Sequence, residues 1–366
     1  MIFLGEASNY KGKVCHHLFS IGRKKDSESL KTYLADAYDA KPEDIILTAN
    51  GRSALCIGIK SLVPKNSEIV INGFTCQAVL IAVKKAGCIP VFADIEKETL
   101  NYTPETLEKL LKTHKNIKAI IIQNTLGNTV DIKKFEKIAK DNNLIIIEDL
   151  AHCTGRHYPD GRLVGSVGDA AALSFGKGKT LDTITGGALV LRNNNHSEIK
   201  QPEKRPSFSS NFRARFYPFF GIFIRASFHL HLNKILVGTL LKLHFIERSA
   251  DAPLDLIHRP AHWQTKLALE QLQKMPKNPE PIRRFILVNN REELLKKLKK
   301  EGYNFDEIWY DVPISPARYY KNSGFDEKSC PIATEVAKEI INLPSWIEKS
   351  KLKQAKKIIK EYEKND

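Results

Sequence analysis

From Glu68 to about Leu191 the chain alternates short apolar runs with stretches of helical period. EIVI, IPVFAD, AIIIQ and LIIIED are β-branched and almost continuously apolar, the pattern of strands buried on both faces. Between them, YTPETLEKLLK predicts a helix: Thr103 can cap it, Pro104 suits its first turn, and Leu107, Leu110 and Leu111 share one face. KKFEKIAKDNN predicts another, closed by an Asn pair ahead of the next strand. This βαβα rhythm specifies an α/β fold in which helices cover a mainly parallel sheet.

Such sheets bind ligands beyond the carboxyl ends of their strands, so polar residues that directly follow an apolar run are the candidates for a site. Three places qualify. LIIIED ends in Glu148 and Asp149 and continues into Ala151 and His152. AALSFGKGK leaves a strand through two glycines and two lysines, Lys177 and Lys179. LTANGRSAL passes from a short apolar stretch through Asn50 and Gly51 into a helix. Gly186 and Gly187, ahead of ALVL, read as a tight turn into a strand, which is a structural role.

The polar, Pro-containing residues from Asn193 to about Pro206 read as a loop or boundary, so a large α/β domain is expected over 1–205. NFRARFYPFFGIFIRASFHLHLNKILVGTLLKLHFIERS follows, rich in aromatic, aliphatic and basic residues and nearly free of acids until Glu247. Pro218, Arg225, His229, His231, Lys234 and Lys242 interrupt its apolar runs, and none reaches membrane-spanning length. This segment, 206–250, is an interfacial amphipathic helix, a cover over the site or part of a subunit interface. Over 251–366, helices separated by a short strand region near IWYDVPIS, with a last helix starting near Ile347, predict a smaller C-terminal α+β domain.

Composition changes this picture little. A chain of 366 residues with 42% hydrophobic content supports two domains with their own cores. The formal charge of +15 would attract the diphosphate of a nucleotide sugar over distance. Lysine is nonetheless interleaved with acids, as in EELLKKLKKEG, which is how a solvated helix face looks, and nucleic acid is not an expected partner. The first thirteen residues lack the basic start and apolar stretch of a signal peptide. The six cysteines lack zinc-site spacing, so reduced thiols, a cytoplasmic location and no metal are expected.

The three strand ends together hold what a pyridoxal-phosphate site needs. An amine must bond the cofactor's aldehyde carbon. A carboxylate must face the pyridine nitrogen, because only the protonated ring withdraws electrons strongly. Hydroxyls and backbone N–H groups at a helix start must hold the phosphate. The motifs NGRSAL, GFTCQAVLIAVKKAGCIPVFADIEKETLNYTPETLEKLL, LIIIEDLAHCTGRHYPDGRLVGSVGDAAALSFGKGKTLDTITGGALVL and YDVPISPARYYKNSGF with PIATEVAKEIINLPSW are similar, in order and spacing, to one family. The chain resembles the DegT/DnrJ/EryC1/StrS sugar aminotransferases, which are fold-type I pyridoxal-phosphate enzymes. The likeness extends from about Leu47 to Trp346 and is weakest between Asn193 and Ile257.

The resemblance implies roles for particular residues. Lys179, five positions after Ser174 of the SF motif, matches the cofactor lysine, and Lys177 is the competing amine in the same loop. Ser174 matches a phosphate-binding serine. Asp149 matches the aspartate that pairs with the pyridine nitrogen, while a capping role fits its local sequence equally well. Ala151 matches the small residue on one face of the ring, and His152 the position that contacts the phenolic oxygen. Gly51, Arg52 and Ser53 match the phosphate-holding turn; Arg52 departs from the usual small residue and either contacts the phosphate or points to solvent. Cys76 stands where the family commonly stacks an aromatic ring, and losing that ring removes about 1 kcal/mol of stacking. Phe74 reaches the same face only if the backbone stays extended, and a plain core role is the other reading of Cys76.

The reaction implied is transamination, from L-glutamate to a keto sugar most readily carried on a nucleotide, by a homodimer whose sites lie between subunits. A sugar dehydratase of the same family, with histidine in place of the lysine, is the rival enzyme. A non-catalytic cofactor-binding regulatory or membrane-associated homologue, touching a membrane surface through 207–247, is the rival from another class.

Overall fold

The computed structural model describes residues 2–3, 14–192, 201–228, 232–249, 251–305, 308–345, 347 and 349–363. The NNNHSE head of the boundary, His229, His231, Trp346 and most of the first thirteen residues lie outside the described residues.

A two-residue strand, β1 (Ile2–Phe3), and two helices, α1 (Val14–Phe19) and α2 (Lys24–Ala37), come first. Then strands and helices alternate as the sequence pattern requires: β2 (Ile45–Thr48), α3 (Gly51–Leu62), β3 (Glu68–Asn72), β4 (Thr75–Cys76), α4 (Gln77–Lys85), β5 (Ile89–Ala93), α5 (Pro104–Thr113), β6 (Ile117–Ile122), α6 (Ile132–Asn142), β7 (Ile145–Asp149), β8 (Ala170–Ser174) and β9 (Gly187–Leu191). Seven of these strands form one sheet in the order β2-β9-β8-β7-β6-β3-β5. Neighbours run parallel except at β9, which is antiparallel to both β2 and β8.

The apolar runs are continuous because each strand feeds two cores. Along β6, Ile120 and Ile122 enter the layer made with α2, α5 and α6, while Ala119 and Ile121 enter the layer made with α3 and α4. The helix signals also act locally. Thr103 Oγ1 accepts the Thr106 N–H at 3.2 Å to start α5, whose Leu107 is buried, and Asn143 ends α6 in the left-handed region at φ 52°.

After the sheet come α7 (Phe208–Phe228), α8 (Asn233–Lys242) and α9 (His262–Gln273), the last packed on α2 with Ala268 and Leu272 in the large-domain core. The C-terminal part contains β10 (Arg283–Leu287), α10 (Arg291–Lys300), β11 (Tyr303–Asn304), β12 (Ile314–Ser315), α11 (Ala317–Tyr320), α12 (Pro331–Glu339), β13 (Ile340–Pro344) and α13 (Lys353–Lys360). Its own sheet is the antiparallel pair β10 and β13, with a core of Leu294, Leu298, Ile341 and Ile358. The strand expected near IWYDVPIS is only the two-residue β12, which pairs with β4 and sets Ser315 beside Cys76. The last helix begins at Lys353, after a single tight turn over Lys349–Leu352, rather than near Ile347. All six cysteines are free.

Candidate active site

The carboxyl ends of β2, β7 and β8 open on one edge of the sheet. Gly187, the first residue of β9, lies between Thr48 and Ser174 and pairs with both. Asn50 caps α3: its Oδ1 accepts the Ser53 N–H at 2.9 Å and the Ser53 hydroxyl at 3.0 Å. The first residue of that helix, Gly51, lies so close to the end of β8 that an added Cβ would stand 2.6 Å from Ser174 Cβ. The positive end of the α3 dipole is thus brought against the Ser174 hydroxyl, a pairing suited to a phosphate.

The loop after β8 is tied from within. Asp182 accepts the Gly178 N–H at 3.0 Å and the Ile184 N–H at 3.1 Å, and Gly178 adopts φ 76°, where a side chain would be strained. The two lysines of this loop diverge. Lys177 Nζ donates to the Tyr217 hydroxyl at 3.0 Å and to the Glu247 carbonyl at 2.7 Å. Lys179 Nζ instead lies 2.9 Å from His152 Nε2 and 4.7 Å from the centre of the Trp309 ring.

His152 is buried, and the Leu126 N–H donates to its Nδ1 at 3.1 Å. Burial holds the imidazole well below its ordinary pKa, and the charges of Lys179 and Arg283 push the same way, so the ring is neutral. A neutral imidazole whose Nδ1 accepts must carry its proton on Nε2. Nε2 therefore presents its N–H to Lys179 Nζ, and the contact becomes a hydrogen bond when the amine gives up its proton and takes the nucleophilic form. The Tyr310 hydroxyl, 3.4 Å from Nε2, is a second and weaker acceptor.

Two adjacent carboxylates have opposite surroundings. Glu148 is fully buried and accepts N–H groups from Gly165 at 2.6 Å, Val167 at 2.8 Å and Gly168 at 2.6 Å, plus the Tyr158 hydroxyl at 2.6 Å; its capacity is used in folding the loop. Asp149 keeps one of its oxygens for the Ala151 N–H, at 3.0 Å. Burial raises the Asp149 pKa above its ordinary value, while that N–H and the charge of Lys179 pull it back. A cationic partner on Asp149 would relieve the cost of burying its charge.

Of the residues singled out in the sequence, Lys179, His152, Asp149, Ala151, Ser174 and Gly51 gather at this edge. The other side chains turn elsewhere. Arg52 is buried and does not point to solvent; its guanidinium donates to the carbonyls of Ala252 and, at 3.4 Å, Ser249. Ser53 Oγ accepts the Asp255 N–H at 3.1 Å. Cys76 Sγ accepts the Ala78 N–H at 3.5 Å at the start of α4. Phe74 is fully buried against Tyr310, with ring centres 5.0 Å apart.

Two residues escaped the sequence reading. Trp309 stacks on His152 at 5.6 Å and 29°, and Tyr310 meets the same ring edge-on at 5.9 Å and 77°. The fully buried Arg283 lies over the other ring system, 4.3 Å from the Trp309 centre. The signal available was the adjacent aromatic pair in IWYDVPIS, beside the strand expected there.

The donor set fits pyridoxal phosphate: an amine beside a neutral imidazole, a buried carboxylate short of partners in charge, an imidazole N–H and a helix start pressed against a hydroxyl. Among the described residues no group of three or more His, Cys, Asp or Glu is placed to hold a metal ion.

Residues 25–225, more than half of the chain, match the model of the DegT/DnrJ/EryC1/StrS aminotransferase family, whose solved members include forms with pyridoxal phosphate bound. A pleiotropic regulatory protein of Geobacillus stearothermophilus is 26% identical over 309 residues, covering 82% of this chain and 79% of that one. A GDP-perosamine synthase of Escherichia coli O157:H7 is 32% identical over 143 residues, a match that spans 39% of this chain and 38% of that enzyme's length. Among solved structures, the E. coli GDP-4-keto-6-deoxy-D-mannose-3-dehydratase with bound hydrated cofactor superposes with a TM-score of 0.65 at 16% identity, covering 98% of this chain and all of that one. At that identity the likeness is one of fold.

Proposed function

This chain belongs to the DegT/DnrJ/EryC1/StrS aminotransferase family, and from that premise we propose that it transfers an amino group from L-glutamate to a keto sugar carried on a nucleotide. The observation that supports the reading most directly is the 2.9 Å contact between Lys179 Nζ and a His152 whose other nitrogen is already an acceptor. An imidazole N–H facing the amine favours the unprotonated form, which is the one that attacks a carbonyl carbon.

In this reading Lys179 holds the cofactor and later takes a proton from the amino-acid carbon and returns one to the sugar carbon. Asp149 faces the ring nitrogen, and its burial makes the pairing with a cation strong. His152 Nε2–H addresses the phenolic oxygen while Leu126 fixes its tautomer. Ser174 and the start of α3 at Gly51 hold the phosphate, and Ala151 leaves room on one face of the ring. Pyridoxal phosphate, when bound, supplies an electron-withdrawing ring that stabilises the carbanion at the reacting carbon. Lys179 occupies the position at which the dehydratases of the family carry histidine, which favours amination over dehydration. We place the working form as a homodimer with its sites between subunits and its location as cytoplasmic; no helix among the described residues is long and apolar enough to cross a membrane.

The test is direct. The purified protein is expected to be coloured, to lose that colour in Lys179→Ala, and to release 2-oxoglutarate from L-glutamate with amination of a panel of nucleotide keto sugars. Colour retained in Lys179→Ala would move the attachment to Lys177. A coloured protein that aminates nothing on the panel would favour the regulatory reading.

A further inference from the structure

Helix α7 is oriented backwards for a surface helix. An amphipathic helix normally turns its apolar stripe to the core. Here Phe208, Phe212, Phe216, Phe219 and Phe223 follow one another at spacings of four, four, three and four and so share one face. The domain is touched by the other face. Asn211 accepts the Trp263 indole N–H at 2.6 Å, Arg215 donates to the Leu18 and Ser20 carbonyls at 2.8 and 3.0 Å, and Ala214 and Pro218 are the buried residues. Phe208 is 85% exposed, Phe223 51% and Phe219 39%, while Phe212 and Phe216 are half-buried, Phe212 with its ring 6.3 Å from that of Phe245. Helix α8 continues the surface, with Ile235 67% exposed and only Leu240 buried. Of the eleven large hydrophobic residues exposed among the described residues, seven lie between Phe208 and Phe245, a concentration that scattered surface leucines do not produce.

The charge on the same segment is of one sign. Residues 204–246 contain seven Lys or Arg and no Asp or Glu, in a chain whose net charge is +15. Lys234 and Lys242 are exposed beside the apolar residues of α8. A second copy of this chain is a poor occupant, because a two-fold contact sets a patch against itself and would bring cation to cation. A phospholipid surface supplies the missing anions and accepts phenylalanine at the boundary between headgroups and chains.

We propose that the α7–α8 hairpin seats this protein on an anionic lipid bilayer. The inference does not depend on the amination reading. The hairpin's base touches the lysine loop through Lys177, Tyr217 and Glu247.

Co-sedimentation of the full chain with phosphatidylcholine vesicles, with and without phosphatidylglycerol, tests this at about 0.1 M salt, where surface charges are still felt over about 10 Å. The wild type is expected to sediment only with the anionic vesicles. Lys234→Glu with Lys242→Glu, and separately Phe208→Ser with Phe219→Ser and Phe223→Ser, are each expected to weaken partitioning about tenfold or more. The positions are exposed, and unchanged cofactor absorbance verifies that each variant is folded. Equal sedimentation with neutral and anionic vesicles, or undiminished binding by both variants, overturns the proposal. So does a wild type that ignores vesicles and an aromatic variant whose mass in light scattering drops, since the face would then belong to a second copy.

Discussion

The two ring nitrogens of His152 have separate partners that can be removed one side at a time. In His152→Asn the amide oxygen stands where Nδ1 stood and still accepts the Leu126 N–H, now 3.1 Å from the imidazole, but nothing reaches Lys179. In His152→Gln the longer amide reaches the Nε2 position, 2.9 Å from Lys179, and the Leu126 N–H is left buried without its acceptor. An unsatisfied buried donor costs about 1–3 kcal/mol. With an unfolding entropy of about 2 cal/mol/K per residue, that lowers the Tm of a chain this long by roughly 1–4 °C. The hydrogen bond that a donor at the Nε2 position would give the cofactor's phenolic oxygen is charge-assisted and worth about 1.5–3 kcal/mol, or roughly 10- to 100-fold in cofactor affinity. The Asn variant is therefore expected to melt near wild type and bind pyridoxal phosphate weakly, and the Gln variant to melt earlier and bind it well. Scanning fluorimetry of the cofactor-free protein and titration of its tryptophan fluorescence with the cofactor give the two numbers. If the variants lose stability and affinity together and to the same extent, the division of labour between the two ring nitrogens is wrong.

Three further outcomes follow from the same geometry. Because the Asp149 pKa is raised by burial, its contribution to stability is full below pH 3.8 and lost as pH rises through the folded-state value; cofactor-free Asp149→Asn should match wild type near pH 4, melt above it at pH 7, and aminate poorly, whereas coincident melting curves at both pH values would contradict the assignment. Gly51→Ala should weaken phosphate binding, measured as cofactor affinity, by about tenfold, since its Cβ at 2.6 Å from Ser174 forces α3 away from β8 and overpacking of this kind costs about 1–3 kcal/mol; unaltered affinity would mean the helix start does not hold the phosphate. Glu148→Gln places an amide among three backbone N–H donors and should cost about 2–4 kcal/mol in chemical denaturation with little change in cofactor affinity once folded, and a loss confined to affinity would give Glu148 a direct role.

How much of this was readable beforehand depends on the range of the contacts. Strands β3, β6, β7 and β8 could be read from their apolar runs because each is buried on both sides, and the polar last residues of β7 and β8 marked the edge where Asp149 and Ser174 lie. The direction in which Arg52 points could not, since it depends on carbonyls about two hundred residues further along the chain. Trp309 and Tyr310 reach His152 only through the way the C-terminal part folds back, a pairing separated by more than 150 residues. The sheet of β10 and β13 was missed for a similar reason, its two strands being joined across α10 and α12. Helix α7 runs through Pro218 without a break, and its aromatic stripe turns outward; periodicity marks such a stripe but not what covers it, so it gave no direction.

Strand β9 carries the chain away from the active edge and leaves it, at Leu191 opposite Ala170, on the far rim of the sheet. The polypeptide must therefore travel back to reach the lysine loop, and it does so through the hairpin, arriving at Glu247, Ser249, Ala252 and Asp255. Lys177, Arg52 and Ser53, the immediate neighbours of the amine and of the phosphate turn, are held by the stretch of chain in which the hairpin ends. Tethering or truncating the hairpin is thus an operation on the chemistry as well as on whatever the hairpin rests against.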